Sequence, residues 1–148
     1  MRKSAVVSNS TVEESLNILE KRSSCDADSY SKVVCSENGE IEVLFYQSGV
    51  MGKWYDSFPE LLQIDGTYHL NDSNYVLYTF VIIDGNGDGN GISRIVAFLS
   101  RETDEHVQTC FEQFYESNVN SIQKTEVILL DKDFESDNNE GQEKQIMQ

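Results

Sequence analysis

The chain predicts an α/β domain on one mixed sheet, its core running in the order β-β-β-α-β. Three apolar runs with short links, Leu61–Leu70, Tyr75–Asp84 and Ile92–Ser100, read as an antiparallel meander. Val107, Cys110, Phe111, Phe114 and Tyr115 then recur at helical spacing, so one face of a helix is buried. A fourth run, Glu126–Leu130, returns as a strand after that helix. A helical crossover makes this strand parallel to the third, and hence to the first. Docked beside the first strand, it makes Asp65 and Asp131 neighbours.

The elements before this core are weaker. Residues 1–10 are small and polar and are expected to be disordered. Thr11 can cap a short helix to about Lys21, with Glu14 completing a capping box and Val12, Leu16 and Leu19 as its stripe. Residues 22–31 read as a polar linker. Lys32–Cys35 and Ile41–Tyr46, joined by Glu37-Asn38-Gly39, read as a hairpin, because Asn-Gly supplies positive φ. A helix over about Val50–Phe58 ends at Pro59, the one proline, and its Trp54, Tyr55 and Phe58 are expected to pack on the sheet. Within the core, Tyr75–Asp84 is apolar on both faces and belongs in the sheet interior. Thr103 caps the core helix, with Asp104 and Glu105 favourably placed in its first turn. The domain plan is a polar segment with a short helix over 1–31, an α/β domain over 32–135 and an acidic disordered tail over 136–148.

Composition narrows the function classes. The 148 residues carry 26 acidic against 11 basic side chains, a net charge of −15. This disfavours a duplex-DNA platform, which presents a basic face, and it suits divalent cations. Cys25, Cys35 and Cys110 lack C-x-x-C spacing, against a disulfide framework or a four-ligand zinc site. No apolar run reaches the ~18–20 residues that span a bilayer, and the start lacks a signal-peptide apolar region. An intracellular protein, nuclear or cytoplasmic, with no membrane attachment is expected.

The chemistry-bearing residues are the two acids at strand-like runs. Asp65 lies in Leu62-Gln63-Ile64-Asp65-Gly66-Thr67-Tyr68, and Asp131 follows Val127-Ile128-Leu129-Leu130. A carboxylate in an apolar strand is costly unless something pairs with it, and a metal ion is a common partner. Two such acids on neighbouring strands begin a two-metal phosphoryl-transfer site. A strand-end acid bonded to backbone N–H groups is the alternative for Asp65, and a strand-terminating turn residue for Asp131. Asp84-Gly85-Asn86-Gly87-Asp88-Gly89-Asn90-Gly91 resembles the start of an EF-hand loop, but Ile95 stands where the bidentate Glu belongs, so a hairpin turn is favoured. His69 and His106 have no nucleophile partner pattern, and structural or solvent-exposed roles are expected.

Asp65-Gly66-Thr67-Tyr68-His69-Leu70-Asn71 resembles the Asp-x-Thr-Tyr-x-x-Asn signature of Mutator-like (MULE) transposases, and of the transposase-derived RNase H-like domain of SWIM zinc-finger proteins. The similarity extends over about 41–135, through Phe58-Pro59-Glu60-Leu61-Leu62, the acidic helix start Glu102-Thr103-Asp104-Glu105, and a strand ending in Asp131-Lys132-Asp133. It implies an RNase H-like mixed sheet, incomplete at its C-terminal side. It also implies Asp65 and Asp131 as catalytic and metal-binding carboxylates, Asp133 as a supporting acid, Mg²⁺ or Mn²⁺ as cofactor, and DNA as the ancestral partner. The family's third carboxylate, a Glu on a downstream helix, and its Cys/His finger have no counterpart here. The expectation is therefore a transposase-derived domain inactive by itself. The alternative is a domesticated, non-catalytic interaction domain that captures a protein partner or self-associates.

Overall fold

The computed structural model describes residues 9–68, 74–84 and 92–130. Helix α1 is Asn9–Cys25, followed by strands β1 (Tyr30–Cys35) and β2 (Ile41–Gln47) and helix α2 (Gly49–Ser57). Strands β3 (Leu61–Thr67), β4 (Val76–Ile83) and β5 (Ile92–Leu99) follow, then helices α3 (Asp104–Ser117) and α4 (Val119–Ile122) and strand β6 (Val127–Leu130). The six strands form one sheet in the order β1-β2-β5-β4-β3-β6. All pairs are antiparallel except β3 with β6, which is parallel in the register Leu61↔Val127 to Ile64↔Leu130. The meander and the docking of the last strand beside the first core strand are as the sequence implied.

Differences from the sequence reading lie at the N-terminal side. The first helix starts at Asn9 and runs to Cys25, so Thr11 lies inside it and is not its cap, and 22–31 is not a linker. The polar residues Arg22 and Ser23 continue the helix because it lies on the sheet. The Arg22 guanidinium carbon sits 5.9 Å from the centre of the Tyr46 ring, and Ser23 Oγ is 3.4 Å from Ser31 Oγ. Strand β1 accordingly begins at Tyr30, two residues earlier than its apolar pattern showed. The hairpin docks through β2 on β5, which gives the sheet two strands beyond the meander. The short α4 was not expected; Asn118, Ser121 and Ile122 link it to α3 through backbone hydrogen bonds.

One face of the sheet carries the core. Alternate residues Val43 and Phe45, Leu62 and Ile64, Tyr78, Phe80 and Ile82, and Ile95, Ala97 and Leu99 point to it and are buried. Helices α2 and α3 cover this face with Tyr55, Cys110 and Phe114. Phe80 is the hub. It stacks on Phe114 with ring centres 4.2 Å apart and meets Phe111 and Phe45 edge-on at 5.7 Å and 6.4 Å. Trp54 packs on Phe58 at 5.0 Å, and Tyr55 on Phe114 at 5.4 Å, so the aromatic cluster of α2 does face the sheet. Burial in this layer pushes the Cys110 thiol up to about 12.

Polar ties fix the helices over that core. Gln47 and Asn118 exchange side-chain hydrogen bonds of 3.1 Å and 2.7 Å, both residues being buried. Tyr55 and Thr125 bond through their hydroxyls at 2.6 Å, and Ser121 donates to Asp56. The start of α2 is capped twice. Ser48 Oγ accepts from Met51 N–H at 3.2 Å, and Asp26 Oδ2 accepts from Gly49 N–H at 2.8 Å. Gly49 is required there, because a Cβ would lie 2.6 Å from the Cβ of Asp28. The Lys53–Asp28 ion pair beside it is exposed and contributes little.

At the end of β3 three residues form a clasp. Tyr68 donates to Glu102 Oε1 at 2.8 Å, and the buried Tyr78 donates to the same oxygen. Tyr78 pairs in register with Gly66, so the clasp joins β3, β4 and the turn between β5 and α3. Burial foremost, then the hydrogen bond to Glu102 and its charge, push the Tyr78 hydroxyl well above the usual phenol range.

Two outcomes follow from this packing. Phe80→Ala is expected to lower unfolding free energy by about 3–5 kcal/mol in urea titration, because the void opens between the three rings of Phe45, Phe111 and Phe114. Tyr78 holds its proton more tightly folded than unfolded. Its contribution is therefore full below the unfolded value of about 10 and is lost as pH rises through the higher folded value. Urea titrations at pH 8 and pH 10.5 are expected to show a smaller alkaline loss of stability for Tyr78→Phe than for the unaltered chain.

Candidate functional site: the open face of the sheet

The opposite face of the sheet has a different character. Because side chains alternate, Gln63, Asp65 and Thr67 of β3 point away from the core. So do Leu77, Thr79, Val81 and Ile83 of β4 and Arg94 and Val96 of β5, and these nine line one shallow depression. Helix α1 packs along β1 beyond Tyr46, at the far end of this face. Phe98 on β5 is partly exposed beside the depression. The edge strand β6 is open along its length, with Val127, Ile128, Leu129 and Leu130 exposed by 47, 39, 48 and 57%.

Asp65 lies near the middle of this surface. It pairs with Thr79 on β4 and is half-buried. No described residue forms a hydrogen bond or ion pair with its carboxylate, so the backbone-bonded strand-end role is not what these residues show. Gln63, Thr67 and Thr79 place neutral oxygen atoms on the same face. The Tyr68–Glu102–Tyr78 clasp anchors the backbone just beyond it.

The parallel pairing brings the second carboxylate's strand alongside. Ile64 pairs with Leu130, and Asp65 and Asp131 are the next residues of their two strands' sequences. Asp131 and Asp133 themselves lie outside the described residues. The same is true of His69, the glycine-rich stretch 85–91 that would complete the EF-hand-like loop, and the acidic tail. Asp84 is described, and its Oδ1 is buried without a hydrogen-bond partner among the described residues. Among the described residues no three His, Cys, Asp or Glu side chains converge to hold a metal. The chemistry of the donors on this face, one carboxylate among neutral oxygens, fits a hard divalent cation as part of a ligand set.

His106 is a structural residue, as expected. Its backbone N–H donates to the cap residue Thr103, its Nδ1 lies 2.5 Å from Thr103 Oγ1, and its Nε2 lies 3.8 Å from Glu42.

Sequence reasoning missed Arg94 and the clasp. Strand alternation puts Arg94 on the face of Asp65, because Ile95 beside it is core. That signal was readable once β5 was placed in register with β4. The clasp had no signal, since Glu102 lies 34 residues from Tyr68. Among the described residues no helix is long and apolar enough to cross a membrane.

The order of four strands, β5-β4-β3-β6, with the last parallel to the first of the meander, and a helical crossover on one face, matches the fold that the motif series implied. No curated protein and no solved structure matches the chain. A family model does: the RNase H-like domain of zinc finger SWIM domain-containing proteins 1 and 3 matches residues 20–138, most of the sequence. The chain belongs to this family of RNase H-like domains.

Proposed function

We propose that the chain is a transposase-derived RNase H-like domain of the Mutator-like lineage. It keeps the first carboxylates of a DNA phosphoryl-transfer site but does not cleave or join DNA by itself. The observation that carries this reading is Asp65. It is an acid on a face that mixes aliphatic and polar side chains, without a partner among the described residues, on the strand that pairs in parallel with the one leading to Asp131. A carboxylate in that setting adds little to folding, so its chemistry explains it better than packing does. Asp65 and Asp131, with Asp133 in support, would hold Mg²⁺ or Mn²⁺. When bound, such ions activate an attacking oxygen and stabilise the leaving one at a phosphodiester. Asp65 supplies the charge, and the clasp beyond it holds the strand end in place. The excess of acid over base leaves phosphate contacts to other parts of the machinery. A nuclear or cytoplasmic location goes with this reading.

A second reading is favoured by a face and an edge strand β6 that stand exposed among the described residues: the domain is retained for protein contacts. It requires exposed apolar surface, which an environment-sensitive apolar dye would report equally in the unaltered chain and in Asp65→Asn.

For the first reading, Asp65→Asn is expected to change unfolding free energy by no more than about 1 kcal/mol, as a half-exposed polar swap. Calorimetry with Mn²⁺ is expected to show weak binding that this variant loses. Divalent-dependent nicking or strand transfer by the purified chain, abolished in Asp65→Asn, would overturn the claim of inactivity. Equal Mn²⁺ binding by both proteins would remove Asp65 as a metal ligand.

A further inference from the structure

We infer that Thr79 is a positioning residue for Asp65: its hydroxyl donates to one carboxylate oxygen and leaves the other for a divalent cation. This rests on the metal reading of Asp65 given above and adds to it a residue outside the acidic motifs.

Strand β4 holds Thr79 between the buried rings of Tyr78 and Phe80 and is otherwise apolar apart from the Tyr78 hydroxyl, which the clasp takes. Alternation turns Thr79 to the open face, yet it is only 8% exposed. Register sets its nearest side chains there. Leu77 and Val81 lie two residues away along β4, Val96 pairs with it on β5, and Asp65 pairs with it on β3. Three of these four are aliphatic, and only Asp65 accepts a hydrogen bond. Side chains directly opposite on antiparallel strands have Cβ atoms about 4.5–5.5 Å apart, a gap that two short side chains close with one hydrogen bond. Gln63 and Thr67 stand on the diagonals, at about 7–8 Å. Among the described residues neither the Thr79 hydroxyl nor the Asp65 carboxylate has a hydrogen-bond partner.

A buried hydroxyl without a partner costs folding free energy. Threonine suits a strand through its β-branched shape, but valine supplies that shape without the hydroxyl. The hydroxyl therefore calls for a reason, and the acid opposite it supplies one. A carboxylate that ligates a metal is oriented by an outer hydrogen bond, and such partners are worth about 10–100-fold in metal affinity. Without one, rotation about its side-chain bonds lets Asp65 turn either oxygen outward. A bond from Thr79 holds one oxygen toward β4 and so directs the other away from it. The Tyr68–Glu102–Tyr78 clasp already fixes the backbone of this strand end, and Thr79 does the same for the carboxylate. The two devices act on different bonds of the same residue's setting.

The test follows Mn²⁺ binding to the full chain through the electron paramagnetic resonance signal of the free ion. Thr79→Val, close in shape, is expected to weaken binding about tenfold, and Thr79→Ser, which keeps the hydroxyl, to stay within about twofold of the unaltered chain. In an Asp65→Asn background, Thr79→Val is expected to change nothing further in whatever binding remains, because the two residues act as one unit. The urea midpoint of Thr79→Val is expected to equal or exceed that of the unaltered chain, so that lost binding is not lost folding. Unchanged Mn²⁺ affinity in Thr79→Val would overturn the proposal, as would an equal loss in Thr79→Ser. So would a lower urea midpoint in Thr79→Val with binding intact, which makes the hydroxyl a part of the fold alone. The two failures are distinguishable. Binding lost in Asp65→Asn but kept in Thr79→Val sinks the positioning role alone, and equal binding by the unaltered chain and Asp65→Asn sinks the metal reading with it.

Discussion

The parallel pairing of β6 with β3 is the constraint on which the rest of this domain depends. Antiparallel strands can be joined by a turn, but a parallel neighbour demands a crossover. Helices α3 and α4 are that crossover, and their route decides which face of the sheet becomes the core. Phe114 and Cys110 of α3 arrive over Phe80 because the chain must pass there to reach β6. Glu126 and Val127 then both donate to the Glu60 carbonyl at 3.0 Å, which sets the register at the mouth of the pair. With that register, the end of β6 lies beside the end of β3, where Asp65 stands.

The same constraint divides the sheet into two unlike faces. The core face is filled with aromatic rings and closed by paired amides such as Gln47 with Asn118. Those amides are satisfied, so their burial costs little. The other face holds fewer aliphatic side chains, Leu77, Val81, Ile83 and Val96 among polar ones, and is covered among the described residues only at its β1 end, by α1. A sheet with apolar residues on both sides normally has helices on both. Strand β4 shows the imbalance within one element: Tyr78, Phe80 and Ile82 are buried, while Leu77, Val81 and Ile83 line the open depression.

Function, on this view, belongs to the less finished face. Its charges are few and separated, and among the described residues neither Asp65 nor Arg94 has a hydrogen-bond or ion-pair partner. The clasp of Tyr68 and Tyr78 on Glu102 lies on the other side of the same strand end. It holds the backbone that carries Asp65 without touching the carboxylate, so the acid's position is set by packing while its chemistry stays free.

The sequence by itself determined the meander, the amphipathic α3, and the acid at the centre of its first strand. These are local or periodic signals: alternation in a strand, a 3.6-residue stripe in a helix, a cap at Thr103. It also determined that β4 would be interior, because eight apolar-rich residues have no polar side to offer water. Only the tertiary structure decided the fate of residues whose partners are distant in the chain. Arg22 and Ser23 read as linker until Tyr46 and Ser31 gave them a surface to lie on. The hairpin of β1 and β2 was legible, but its place beside β5 was not, because edge pairing follows from which strand is left free. Arg94 carried no reading in the sequence, and Glu102 read only as part of the acidic start of a helix. Register put one on the face of Asp65 and the other under two tyrosines, and register is a property of the assembled sheet, not of any strand alone.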